Sequence, residues 1–199
     1  MLLTELTMKT FTGSAIRPYL SCVARLSVEV FREYPYLCDT HVENEIDLLK
    51  KYALSEDSIA VILFEGSTVV GAATGIPLSQ ESESLIKPFK QKNLDVSKYY
   101  HFGEALLLKP YRGRGVGHHF YELREDHAKK LEGFEYACLY TLDRTEEEAK
   151  KHTEYYPLDD FWRKRGFVHH KELITIQHWK DLHDDHTSEK ECSFWIKKL

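Results

Sequence analysis

The residues best suited to chemistry stand together at Arg112-Gly113-Arg114-Gly115-Val116-Gly117. Ahead of them runs an apolar stretch, Ala105 to Leu108, closed by Lys109-Pro110. Behind them Val116, Phe120, Leu123 and His127 recur at the spacing of one helical face. Glycines between a strand and a helix allow backbone conformations that a Cβ forbids, and they let a ligand approach the main chain. The unpaired N–H groups of the helix's first turn then point into the turn, and the helix dipole favours an anion there. Arg112 and Arg114 add positive charge. The chemistry indicated is a cradle for phosphate.

Spacing separates the known cradles. A Walker A loop requires G-x-x-x-x-G-K-[ST], and no lysine followed by Ser or Thr closes this turn. A dinucleotide fingerprint requires G-x-G-x-x-G, but His118 occupies the place of its last glycine. That fingerprint also needs an acidic residue about 20 positions on, and Asp143 comes too late. A third pattern, [RQ]-x-x-G-x-[GA], is met at every position by residues 112–117.

The elements that must position this turn follow from periodicity and breakers. Residues 2–11 read as a strand, and Thr12-Gly13-Ser14 as a break. A helix starting near Arg17, with Pro18 in its first turn, carries the stripe Tyr19, Val23, Leu26, Val30 and stops at Tyr34-Pro35-Tyr36. Thr40-His41-Val42-Glu43 has the form of a capping box for a second helix with the stripe Val42, Ile46, Leu49, Ala53. Residues 59–64 and 68–76 read as an antiparallel hairpin about Glu65-Gly66-Ser67. Residues 79–97 are expected to be a polar surface excursion with a short helix cut at Pro88. Past the central strand and helix come a strand at 134–142, a charged insertion at 143–156 and a short helix at 157–165. Two late strands, 167–176 and 191–196, flank a polar loop. The order is β-α-α-β-β, an excursion, then β-α-β-α-β-β.

This order and the motif at 112–117 together resemble the GCN5-related N-acetyltransferase (GNAT) superfamily, and Gly166-Phe167 after a short helix resembles its C-terminal segment. The segments YYHFGEALLLKPYRGRGVGHHFYE, PLDDFWRKRGF and SFWIKKL are similar to a little-described bacterial branch. The resemblance spans essentially residues 1–199 and implies one α/β (α+β) domain, with a mixed, mostly antiparallel sheet flanked by helices on both faces. It implies transfer of an acetyl group from acetyl-CoA, as co-substrate and without metal, to a primary amine of a small molecule or peptide. The turn 112–118 would hold the pyrophosphate, and the edge Leu106, Leu107, Leu108 would pair with the pantetheine arm. Phe161 in the short helix and Asp143 at the strand end would join the cofactor set. The central strand would splay from the next one to admit the cofactor. An attacking amine must first lose a proton, its pKa being about 10, and Glu104 is the expected base. The superfamily's usual acid is a tyrosine four residues before the glycine of Gly-Phe. Here that place holds Trp162, and Tyr156, just upstream, is the substitute.

Bulk properties bound the reading. A chain of 199 residues suits one α/β domain, and a net charge of −5 argues against a nucleic-acid surface. No tract is long and apolar enough for a membrane span, and Met1 to Glu5 has no basic leader, so the cytoplasm is expected. Cys22, Cys38, Cys138 and Cys192 form no C-x-x-C pair and read as reduced, mostly packed thiols. His178, His183 and His186 fall in a polar loop, which favours solvated side chains over a metal centre. Acidic residues at Glu81–Glu83 and from Glu146 to Asp160 would suit a cationic acceptor, although a plain solvated surface explains them as well. A C-terminal strand rich in Trp and Phe would suit a homodimer. The rival from another class is a non-catalytic acyl-CoA sensor or interaction module, which Trp162 favours.

Overall fold

A computed structural model describes residues 6–145 and 155–199. Seven strands form one sheet: β1 Leu6–Thr12, β2 Ile59–Glu65, β3 Thr68–Pro77, β4 Tyr99–Leu107, β5 Tyr136–Leu142, β6 Val168–Trp179 and β7 Ser188–Lys198. Their spatial order is β1-β2-β3-β4-β5-β7-β6, antiparallel throughout except for β4 against β5. The helices are α1 Leu20–Phe31, α2 Val42–Leu54, α3 Glu83–Gln91, α4 Val116–Lys130 and α5 Asp159–Arg163. The mixed, mostly antiparallel sheet with helices on both faces is the expected architecture. No helix among the described residues is long and apolar enough to cross a membrane.

Helices cover both faces because the central strands are apolar on both. Ile59 to Leu63 of β2 are all buried, with Val61 and Leu63 in one core and Ala60 and Ile62 in the other. The first core packs α4 and Trp162 of α5 on one face. The second packs α1 and α2 on the opposite face, together with Leu106 of β4. Small residues in β3 let its neighbours close in. A Cβ at Gly71 would fall 2.7 Å from Leu107 Cδ1 and 3.1 Å from the Phe120 ring.

Several expectations need correction. The Thr40 capping box does not form, since α2 starts after His41 with no side-chain cap. Glu45 in the first turn of α2 is instead held by Ser27 Oγ at 2.6 Å inside the α1–α2 interface. Pro18 lies in a 3-10 turn, Gly13–Tyr19, that precedes α1. The segment 79–97 is no surface excursion, because Glu81, Leu85, Ile86, Pro88 and Phe89 are buried. Nor does Pro88 cut the helix there: α3 continues through it. Proline removes one helical N–H, and the carbonyl thereby freed, that of Ser84, accepts from Thr175 Oγ1 at 2.9 Å. On α4 the buried face includes Tyr121, Arg124, Glu125 and Ala128 rather than Leu123 and His127. Polar side chains were misread there because their partners come from elsewhere in the chain. The late strands are also longer than expected: β6 runs on to Trp179, and β7 begins at Ser188, inside the polar loop expected at 180–190.

Candidate functional site

The site begins where two strands part. β4 and β5 pair over just three rungs, Tyr99–Tyr136, Tyr100–Ala137 and His101–Cys138. Beyond them β4 stays on β3 as far as Leu107, and β5 stays on β7 as far as Leu142, so a gap opens between the two strands. The Leu108 N–H donates to the Val70 carbonyl at 3.1 Å. Antiparallel pairing alternates, so Leu106 and Leu108 direct their peptide groups to β3 while Ala105 and Leu107 direct theirs into the gap. The Leu107 carbonyl already accepts from Arg112 Nε at 2.8 Å. Of the three leucines, Leu107 therefore has the peptide N–H available to a ligand in the gap, and Leu106 contributes its side chain to the α1–α2 core.

The gap leads to the glycine turn. Gly113 and Gly115 have φ of +74° and +81°, a region that other L-residues enter at a cost, and Gly115 is the N-cap of α4. A Cβ at either would meet no heavy atom within 4 Å, so the space above them is open. Val116 is buried and fastens the helix to the core. At Gly117 a Cβ would touch the Phe161 ring at 3.9 Å, which places Phe161 over the first turn of α4. Arg112 is committed to structure, its guanidinium gripping both carboxylate oxygens of Glu33 at 2.7 and 3.1 Å. Arg114 is exposed and lies over the Tyr111 ring at 5.9 Å. Arg165 escaped the sequence reading. It stacks on Phe161 at 3.4 Å and contacts His118 Nδ1, adding a cation beside the helix N-terminus. Desolvation lowers its pKa.

Glu104 stands on the other side of β4, in a β-bulge. Ala73 pairs with Ala105 and Gly75 with Phe102, so Thr74 alone faces both Gly103 and Glu104. Thr74 Oγ1 accepts from the Glu104 N–H at 3.0 Å and donates to the Glu104 carboxylate. Gly103 is required, because a Cβ there would fall 2.1 Å from Tyr52 Oη. That hydroxyl is buried beside Thr74 Oγ1 and Glu104 and is aligned for a good hydrogen bond with neither. Burial, and then the charges of Glu104 and Glu81, raise the Tyr52 pKa well above the ordinary phenol value. Beneath the bulge Arg124 is 2% exposed. It donates to the carbonyls of Phe120 at 3.1 Å and Thr74 at 3.3 Å and lies 4.7 Å from the centre of the Phe102 ring. Burial pulls its pKa down to about 10.

A second buried polar group adjoins the point where the strands part. His101 Nδ1 is 2.9 Å from Glu81, whose other oxygen receives Lys51 Nζ at 2.6 Å. Burial alone would raise the Glu81 pKa, but His101 and Lys51 outweigh it and hold it at about 2. Glu81 therefore belongs to the interior and not to an acidic surface, while residues 146–154 of the other acidic stretch lie outside the described residues. The His101 ring stacks on Tyr140, with centroids 5.7 Å apart. Above this region the α1–α2 connection is fastened to the β6–β7 hairpin. Asp39 N–H bonds the Lys180 carbonyl and Leu182 N–H the Leu37 carbonyl, each at 2.8 Å. Arg144 Nε donates to the Pro35 carbonyl at 2.8 Å, and Trp179 Nε1 to that of Tyr36 at 3.0 Å. The Tyr36 pKa is raised by burial first, then by the charges of Cys192, Tyr155 and Glu104.

The remaining expected residues fall as follows. Asp143 accepts from Ser193 Oγ at 3.0 Å and so is engaged with β7. Tyr156 is 82% exposed. Of the two tyrosines Tyr155 is the enclosed one, packed edge-on to Tyr34 with centroids 4.9 Å apart. Trp162 is buried between Phe161 and Phe167, and its indole N–H has no hydrogen-bond acceptor among the described residues. His178 lies 3.7 Å from Glu189, and among the described residues no three His, Cys, Asp or Glu side chains cluster as metal ligands do.

Comparison with known proteins follows the geometry. No family profile matches the chain, and no curated protein matches it by sequence. Solved structures do match. An acetyltransferase of the GNAT family from Streptococcus pneumoniae is 14% identical, with a TM-score of 0.58 over 98% of this chain and 100% of that one. YncA of Salmonella typhimurium, solved with its cofactor acetyl-CoA, is 11% identical, with a TM-score of 0.59 over 98% of this chain and 94% of that one. A GCN5-related N-acetyltransferase from Kribbella flavida is 15% identical, with a TM-score of 0.55 over 98% of both chains. The fold of this chain is the GNAT fold.

Proposed function

We propose that the protein transfers an acetyl group from acetyl-CoA to a primary amine by direct attack. The observation that carries this reading is the continuity of the β4–β5 gap with the open turn at the α4 N-terminus. A long, thin ligand with a phosphate-bearing end fits such a path, and YncA was solved with acetyl-CoA on the same fold. The N–H groups of residues 113–118 would bind the pyrophosphate, Arg114 and Arg165 would add charge, and the Leu107 peptide would pair with the pantetheine arm. A fixed N–H in the gap would also stabilise charge developing on the thioester oxygen.

Glu104 reaches the same strand from the opposite face and would take the proton of the incoming ammonium. The amine nitrogen then bonds to the thioester carbon, the carbon–sulfur bond breaks, the sulfur leaves as thiolate, and the nitrogen gives its second proton to water as the amide forms. Trp162 cannot supply a proton to that thiolate, because an indole N–H only donates a hydrogen bond. A simple thiol has a pKa of about 8.5, so water suffices as the proton source.

The test is calorimetric titration with acetyl-CoA and free CoA, followed by thiol release with spermidine, glucosamine and a lysine-bearing peptide. Binding with amine-dependent thiol release supports the enzyme. Tight binding without turnover on these and a wider amine panel moves the reading to an acyl-CoA sensor, and absence of binding to either ligand refutes both.

A further inference from the structure

We infer that Thr74 is the positioning residue for Glu104, holding its carboxylate beside the β4 bulge through a hydrogen bond made in both directions. The inference rests on the reading of Glu104 as the base. An ordinary antiparallel rung would set one residue of β3 against one of β4, with successive side chains on opposite faces. The bulge sets Thr74 against two, and the threonine hydroxyl takes up the consequences of the extra residue. It accepts the Glu104 N–H at 3.0 Å, which the broken ladder would otherwise leave unpaired, and it donates its own proton to the carboxylate of the same residue.

Hydroxyl, peptide and carboxylate therefore close into one small ring of contacts, which leaves the carboxylate little rotational freedom. Nothing else on β3 can do this. The neighbours of Thr74 are Ala73 and Gly75, which carry no side-chain oxygen. Thr74 is itself fixed from below, because its carbonyl accepts from Arg124 Nη1 at 3.3 Å, and it is 2% exposed. Gly103 keeps the arrangement compact by letting Tyr52 close over the bulge. The charge of Glu104 reaches groups on separate elements: Tyr52 and Glu45 of α2, Arg124 of α4, Tyr36 of the α1–α2 connection and Tyr140 of β5. Among the described residues, the well-formed side-chain hydrogen bond to the carboxylate comes from Thr74.

The test separates positioning from folding. Thr74→Val and Thr74→Ala remove the hydroxyl, and Thr74→Ser keeps it. With the fastest of spermidine, glucosamine and the lysine-bearing peptide as acceptor, Val and Ala are expected to lower kcat by about 10- to 100-fold, the scale of a misplaced catalytic group. KM for acetyl-CoA should stay within about twofold of wild type, and Ser should restore most of kcat. A crystal structure of Thr74→Val should show the Glu104 carboxylate swung away from position 74, a readout that needs no acceptor; Thr74→Ala serves if the valine variant does not fold. Full kcat in the Val and Ala variants, while Glu104→Gln is inactive, would overturn the clamp and leave Glu104 as base. Wild-type rate in Glu104→Gln would overturn the reading of the base and the clamp with it.

Discussion

Replacing Gly115 by alanine separates two roles that a glycine in this turn can have. At φ of +81° an alanine costs about 1–2 kcal/mol of backbone strain. Alanine also restricts the unfolded chain, which offsets part of that cost. The new methyl meets no heavy atom within 4 Å, so there is no steric cost to add. The expected loss of folding stability is therefore about 1 kcal/mol, small against the roughly 5–15 kcal/mol of a typical domain. The same methyl would stand where a pyrophosphate must sit to reach the N–H groups of the α4 first turn. Displacing it forfeits at least one hydrogen bond to a charged group, about 1.5–3 kcal/mol, so CoA should bind about 10- to 150-fold more weakly. Urea denaturation and calorimetric titration with CoA measure the two quantities on one preparation. Wild-type affinity with the expected strain would refute the cradle, and a stability loss of several kcal/mol would refute the open geometry. Gly117→Ala is the control for the protein alone, since its Cβ would make only an ordinary contact with Phe161 at 3.9 Å.

Other outcomes follow from the buried polar groups. The Glu81 pKa is depressed from 4.5 to about 2, so its contribution to stability is present above about 4.5 and is lost as pH falls through about 2. Glu81→Gln should remove up to about 3 kcal/mol at neutral pH and flatten acid unfolding in that window, with Glu125, also held at about 2, leaving a residual slope; an unchanged profile would contradict the buried network. Tyr52→Phe deletes a buried hydroxyl that lacks a well-formed hydrogen bond, and should leave thermal stability within about 1 kcal/mol of wild type or raise it. A loss above about 2 kcal/mol would mean that the hydroxyl is bonded to Thr74 or Glu104. Iodoacetamide at pH 8 should label Cys22 first, because it is exposed, whereas burial pushes Cys38 and Cys192 up to about 12 and raises Cys138 as well. Mass spectrometry showing rapid labelling of Cys138 in the folded protein would count against the packing of β5.

The parts of this protein legible in its sequence are those whose partners are near in the chain or whose pattern is periodic. The turn at 112–117 announced itself because glycine and arginine types report directly on φ and charge, and Gly113 and Gly115 do adopt positive φ. The hairpin of β2 and β3 was readable from two apolar runs about one turn. What escaped were side chains whose meaning depends on distant residues. Arg112 looked like a phosphate ligand by its motif, yet it is bound to Glu33, 79 positions away. Glu81 looked like surface charge until Lys51 and His101 were brought to it from α2 and β4. Segment 79–97 was dismissed on composition, although its few apolar residues suffice to bury one face against β6 once Thr175 caps the carbonyl that Pro88 leaves free.

The bulge makes the same point at the site itself. Glu104 could be selected from its place ahead of an apolar strand, but nothing local distinguishes a held carboxylate from a solvated one. Thr74, which holds it, lies 30 positions before it, and Arg124, which holds the Thr74 carbonyl, lies 50 positions after Thr74. A β-bulge has no dependable sequence sign beyond a glycine within a strand, and Gly103 was such a sign. Its meaning required knowing that Tyr52 would come to lie over it, which depends on how α2 docks against the sheet. The glycine turn was thus written in residue types, whereas the setting of Glu104 was written in tertiary contacts. A homologue that keeps the glycine turn but loses Thr74 or Gly103 should accordingly bind CoA as well as this protein and transfer the acetyl group more slowly.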